Sequence, residues 1–145
     1  MEQQELAPFN WSLLEYGRSL SAIDYAHGIA AVRKAGREIA KDLAAYDVFI
    51  TPTLTQTARP VGYWSMEDGD LKRYLHRWSD AGYLFGFNMS GLPAMSVPVA
   101  ETQSGIPVGV QLVGRYGDEA TLLRLAHTME QELHWDKRRP PICAV

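Results

Sequence analysis

The sequence has little cysteine: one residue, Cys143, among 145. That excludes a disulfide framework and makes a reducing compartment the expectation. A cysteine so close to the end has nothing to lower its pKa, so no nucleophilic role is expected of it. Long apolar runs are also missing. None approaches the roughly 18 residues of a membrane span, and no membrane partner is expected. Neither sign of charge dominates: the formal net charge is −3, with 21% charged residues. Such interspersed charge is not the footprint of a nucleic-acid binder. The one basic cluster, Lys137-Arg138-Arg139, is read as a solvated run. The opening MEQQELAPFN has neither a basic n-region nor an apolar h-region, so a cytoplasmic location is expected. The glycosylation sequon at Asn88-Met89-Ser90 is then idle.

Catalytic signatures are as sparse. His27, His76, His127 and His134 form no paired ligand spacing with another histidine, cysteine or acid, so no metal is expected. The glycines compose neither G-x-G-x-x-G nor a Walker loop, and no cofactor is expected. In GVQLVGRYGDEA the order strand, glycines, helix N-terminus can hold an anion, but no glycine-rich turn closes on the helix. The serine elbow G-x-S-x-G is absent. Ser90 and Ser96, in FNMSGLPAMSVP, have no histidine or lysine near them in sequence, and a serine nucleophile needs a base and an oxyanion hole. Asn88, Ser90, Gly91 and Pro93 read instead as turn residues at the entry to a strand.

What is present is an ordinary globular composition, 46% hydrophobic. Its length suits one domain over residues 1–145, with 136–145 expected as a flexible tail. A short helix is expected over 8–17, with Gly17 just past its end. A long helix opens on a capping box of Ser21 and Asp24. Tyr25, Ile29, Val32, Gly36, Ile39, Leu43 and Tyr46 then recur at heptad spacing. That stripe suits a coiled-coil dimer or packing within one protein, and Gly36 favours the latter. Val48–Thr51 reads as a buried strand stopped by Pro52, followed by a loop over 53–70 and a helix over 71–86. Strands over 94–100 and 107–113 are joined by a hairpin containing Gly105. Gln111 interrupts an apolar run and is expected to tie two elements through its amide. Asp118 caps a helix whose one face carries Leu122, Leu125, Ala126, Met129 and Leu133. Residues 135–145 read as an exposed tail. Alternating helices and apolar strands give an α/β fold class.

Asp47, Thr51 and Pro52, then Asn88, Gly91, Pro93, Ala94, Ser96 and Pro98, occur in that order. Gly105, Pro107, Gly109, Gln111 and Gly114 follow, and then Leu122 and Leu123. In this order they resemble the C-terminal part of the amidase-signature enzymes over roughly residues 18 to 135. The resemblance implies a layered α/β/α fragment with a small mixed sheet, taken from an enzyme that hydrolyses a carboxamide C–N bond. The family's nucleophilic serine, bridging serine on a cis peptide and lysine lie upstream of everything matched here. This chain holds no Gly-Gly-Ser-Ser run. Lys41-Asp42 imitates the family's Lys-Asp pair, but it sits just before the first strand, so Lys41 reads as solvated.

By that resemblance the chain has no catalytic residue of its own, and no substrate-binding residue is assigned. Region 53–86 is where the family shapes substrate choice. Trp64, Trp78, Tyr83 and Phe87 suit an apolar pocket wall, and equally a core. In the tRNA-amidating members of the family, the acid that grips glutamine lies seven residues before the matched asparagine. Here Ala81 holds that place, with Asp80 one residue off, so glutamine is not the expected substrate. The expected partner is the missing N-terminal catalytic part, in cis or in trans. A non-catalytic binding or assembly module is the alternative. Exposed sheet edges and the 25–46 stripe then make a homo-oligomer the expectation.

Overall fold

The computed structural model describes residues 5–138. Helices α1 (Pro8–Ser19) and α2 (Ala22–Leu43) lead into β1 (Val48–Pro52), and a long loop precedes α3 (Leu71–Arg77). A 3₁₀ turn at Trp78–Ala81 joins α3 to α4 (Gly82–Ser90). Then come β2 (Ala94–Glu101), β3 (Pro107–Gly114) and α5 (Glu119–Leu133). Among the described residues no helix is long and apolar enough to cross a membrane.

Local chemistry sets most boundaries. The Ser21 Oγ accepts from the Asp24 N–H at 3.1 Å, and the Ser21 N–H donates to the Asp24 carboxylate at 3.0 Å. This closed capping box starts α2. Asp118 accepts from the Thr121 N–H and starts α5. Gly91, at φ 71°, ends α4 in the left-handed conformation that glycine adopts without steric cost. The expected end of α1 at Gly17 is overturned. The helix runs on to Ser19 and ends at Leu20 in an extended conformation. The single helix expected over 71–86 is also broken. Asp80, in the 3₁₀ turn, is drawn into an ion pair with Arg59.

The sheet order is β1-β3-β2, and both pairings are antiparallel. The α/β class stands, but among the described strands the sheet is antiparallel where a mixed one was expected. A five-residue connection makes β2–β3 a hairpin, which permits no other direction. On one face α5 lays Leu122 and Ala126 against Val97 and Leu112, with Val48, Met95 and Val110 packed around them. On the other face Phe87 of α4 lies against Phe49, ring centroids 6.2 Å apart. Here α2 crosses α4 where Gly36 leaves room: a Cβ at Gly36 would fall 2.3 Å from the Met89 carbonyl oxygen. Three layers result. The stripe on α2 is thus divided. Gly36, Ile39 and Leu43 pack inward, whereas Tyr25 and Val32 are exposed.

β1 is not the buried strand expected of it. It pairs on one side only, and Phe49 and Ile50 are exposed. Trp135 and Arg138, expected in an exposed tail, make contacts with the body of the fold. Trp135 packs against the α5 core and donates from Nε1 to Glu130, and Arg138 donates to the Pro98 carbonyl. Arg139 and Cys143 lie outside the described residues.

Candidate functional site

The α4-facing side of the sheet carries a row of uncharged polar side chains. Thr51, Gln111 and Ser96 stand in register across β1, β3 and β2. Gln111 is only 4% exposed, so its amide requires partners. It donates to the Thr51 hydroxyl at 3.0 Å and to the Tyr83 carbonyl at 3.4 Å. The tying role expected of Gln111 is therefore seen: it joins β1, β3 and α4.

Next to Gln111, Gly109 opens a notch in this face. The Thr53 and Ser96 hydroxyls meet there at 2.6 Å. A Cβ on residue 109 would come within 2.9 Å of both oxygens, so the contact depends on a missing side chain. The pair lines a cleft of about 550 Å³ with Pro52, Thr55, Thr57 and Val108. Its chemistry is that of neutral donors and acceptors. Each hydroxyl has the other as its partner rather than a lysine, histidine or carboxylate. Without a base neither becomes a nucleophile at neutral pH.

One wall of the cleft is anchored by a two-pronged ion pair. Arg59 donates to Asp80 from Nε at 2.7 Å and from Nη2 at 3.0 Å. The Asp80 backbone carbonyl accepts from the Thr55 N–H at 2.9 Å. The Arg59 hydrogen bonds hold the buried Asp80 carboxyl below its ordinary pKa, against the opposing effect of desolvation. The guanidiniums of Arg59 and Arg77 lie 4.9 Å and 5.1 Å from the Tyr63 ring centroid. Asp68 pairs with Arg73, whose Nε donates at 2.6 Å, and also with Arg77. Region 53–70 is thus a loop stitched down by Arg59, Asp68, Arg73, Arg77, Asp80 and Tyr63.

A second cleft, about 420 Å³ and mostly apolar, lies between α2, α4 and β1. Ile39, Leu43, Phe49, Tyr83 and Phe87 line it, with Asp42. Of the four aromatics considered for a pocket wall, Tyr83 and Phe87 meet here. Trp64 packs edge-on to Tyr74, whose ring lies tilted by 31° against Phe9 of α1, centroids 3.9 Å apart. Trp78 stacks on Phe85. Lys41 is exposed on α2 and lines neither cleft. Ser90 serves the end of α4, donating to the Phe87 carbonyl and accepting from the Leu92 N–H. Among the described residues no three His, Cys, Asp or Glu side chains converge.

Sequence reasoning missed Thr53 and Arg59. Gly109, a glycine inside an apolar strand, was the signal for a close approach there. The Arg59–Asp80 pair spans a loop and left no local signal.

The Amidase family model matches residues 3–123. The fatty acid amide hydrolase of Medicago truncatula is 34% identical over 127 residues, covering 85% of this chain and 20% of that protein. The 6-aminohexanoate-cyclic-dimer hydrolase of Pseudomonas sp. strain NK87 is 35% identical over 105 residues, covering 68% and 21%. A solved 6-aminohexanoate cyclic dimer hydrolase superposes with TM-score 0.87 at 25% identity, covering 97% of this chain and 31% of that one. The chain thus spans about a fifth of the length of these curated relatives and belongs to the amidase family.

Proposed function

We propose that residues 1–145 form a sheet scaffold and part of the substrate pocket of an enzyme that hydrolyses a carboxamide C–N bond. The nucleophile and its proton carriers come from a separate catalytic part, joined in cis or supplied in trans. One observation carries the reading: the cleft hydroxyls Thr53 and Ser96 bond to each other, and no ionisable side chain lines their cleft among the described residues. They are equipped to hold a neutral polar group and not to attack it. The Arg59–Asp80 pair closes Asp80 off as a ligand for an incoming amine, so glutamine is not the expected substrate.

The test is release of amine or ammonia by the purified chain, using 6-aminohexanoate cyclic dimer and simple carboxamides. No turnover above buffer is expected. Turnover that disappears in Ser90→Ala or Ser96→Ala would overturn the reading. The complementary test places residues 5–138 in the Pseudomonas hydrolase in exchange for its matching segment. Hydrolysis by that chimera supports the scaffold role.

The second reading is a binding or assembly module acting as a cytoplasmic homo-oligomer. Ile23 and Tyr25, 67% and 68% exposed on α2, favour it. Light scattering decides: a monomer at high concentration counts against it.

A further inference from the structure

Asp68-Gly69 is the one aspartyl-glycyl step in the sequence, and no asparaginyl-glycyl step occurs. Glycine has no side chain to shield its nitrogen, so an aspartate before it closes readily into a five-membered ring. The Gly69 nitrogen attacks Asp68 Cγ and a C–N bond forms. A carboxyl oxygen leaves as water, taking the amide proton and the carboxyl proton. Water then adds to the Asp68 main-chain carbonyl carbon and breaks its bond to the Gly69 nitrogen. The product is an isoaspartyl link through Cβ and Cγ with a free α-carboxylate. The water lost in the first step is regained in the second, and no other reactant is needed.

The fold holds this reaction back. The Asp68 carboxylate accepts from Arg73 through Nε at 2.6 Å and through Nη2. It also accepts from the Asp70 N–H at 3.1 Å and pairs with Arg77 at 3.5 Å. An ionised carboxylate is a poor electrophile, and the Arg73 hydrogen bonds above all hold this one ionised down to about 2. Ring closure costs the group all of these partners. The main chain is pinned on both sides as well. The Met66 carbonyl accepts from the Phe9 N–H at 3.0 Å, and the Gly69 carbonyl accepts from the Ser12 hydroxyl at 2.7 Å. Both donors belong to α1.

We propose that Asp68-Gly69 is a latent isoaspartate site, latched by Arg73, Arg77 and α1, whose conversion releases loop 53–70. The isoaspartyl link lengthens the main chain by one methylene between the Met66 and Gly69 anchors. It also moves the carboxylate from the end of the side chain to Cα. Arg73 and Arg77 then lose the acceptor they share. Arg77 is the residue that joins Asp68 to Tyr63, since its Nη1 donates to the Tyr63 carbonyl at 2.8 Å. The same loop supplies Thr53, Thr55 and Thr57 to the 550 Å³ cleft, so the modification reaches the cleft wall.

Isoaspartate is quantified by mass-spectrometric fragmentation of the peptide holding Asp68, after the purified chain has been kept warm at neutral pH for weeks. The same chain in urea gives the unlatched rate, and the folded wild type should convert at least fivefold more slowly. Arg73→Ala, checked as folded by circular dichroism, should convert at least threefold faster than the folded wild type. High sodium chloride screens half-exposed ion pairs without any mutation, and should speed the folded wild type as well. Gly69→Ala has room for its Cβ, 3.5 Å from that of Pro8, and should abolish the product in either background. In the isolated isoaspartyl chain the Phe9 and Asp70 amides should exchange faster than in the unmodified one. A folded wild type that converts as fast as in urea overturns the proposal. So does a folded Arg73→Ala that converts no faster than wild type. If Arg73→Ala does not fold, the wild type in salt decides, and an unchanged rate there overturns the latch. A modified chain whose Phe9 and Asp70 amides keep their protection overturns the release.

Discussion

At the scale of single residues, two glycines of one helix should respond oppositely to the same methyl group. Gly36→Ala drives a Cβ to 2.3 Å from the Met89 carbonyl, and backbone cannot yield as a side chain would. A loss of about 1–3 kcal/mol is expected in urea unfolding, as for other overpacked sites. Gly28, also inside α2, has nothing within 4 Å of a built Cβ. Gly28→Ala should therefore stabilise by about 0.5–1 kcal/mol, through lower unfolded-state entropy and higher helix propensity. Asp68 predicts a pH effect. The Arg73 hydrogen bonds first, and the Asp70 N–H second, hold its carboxyl down to about 2. A depressed pKa adds stability that is complete above the ordinary carboxylate pKa of about 3.9 and fades as pH falls toward 2. The urea midpoint of the wild type should thus drop more steeply between those values than that of Asp68→Asn.

Among the elements, α2 depends on its cap more than most helices do. Its first half is exposed and gains little from packing, so the Ser21–Asp24 box must hold that end. Ser21→Ala should cost about 1 kcal/mol, with faster amide exchange confined to the first turns. Features of this local kind were legible in the sequence. Ser21 with Asp24, Asp118, and the hairpin around Gly105 each act within a few residues, and each was found where expected. Features made by distant partners were not. The 3₁₀ turn that interrupts 71–86 holds Asp80, which Arg59 pairs with from across a loop. Thr53 meets Ser96 only because β1 and β2 flank β3, an arrangement that no local pattern encodes. Of the candidate site, Gln111 could be read as a tie. The hydroxyl pair and the cleft around it required the register.

For the molecule as a whole, stability centres on the α5 side of the sheet. Leu112 is fully buried between Val97 and Leu122, and Leu112→Ala should cost about 2–5 kcal/mol, measurable by urea unfolding. That side is assembled from neighbours in sequence, β2, β3 and α5. The strand β1 is not a neighbour: residues 53 to 106 separate it from β3. Closing so long a loop costs more chain entropy than closing the five-residue hairpin, which can form in about 1–10 µs. The antiparallel β1–β3 pairing therefore sets an order of events. The hairpin and α5 should collapse first, and β1 should arrive later with α2. In stopped-flow refolding, Leu112→Ala should slow the folding arm, while Gly36→Ala should mainly quicken unfolding. A ribosome emitting this chain would release α2 and β1 well before β3 exists to receive them.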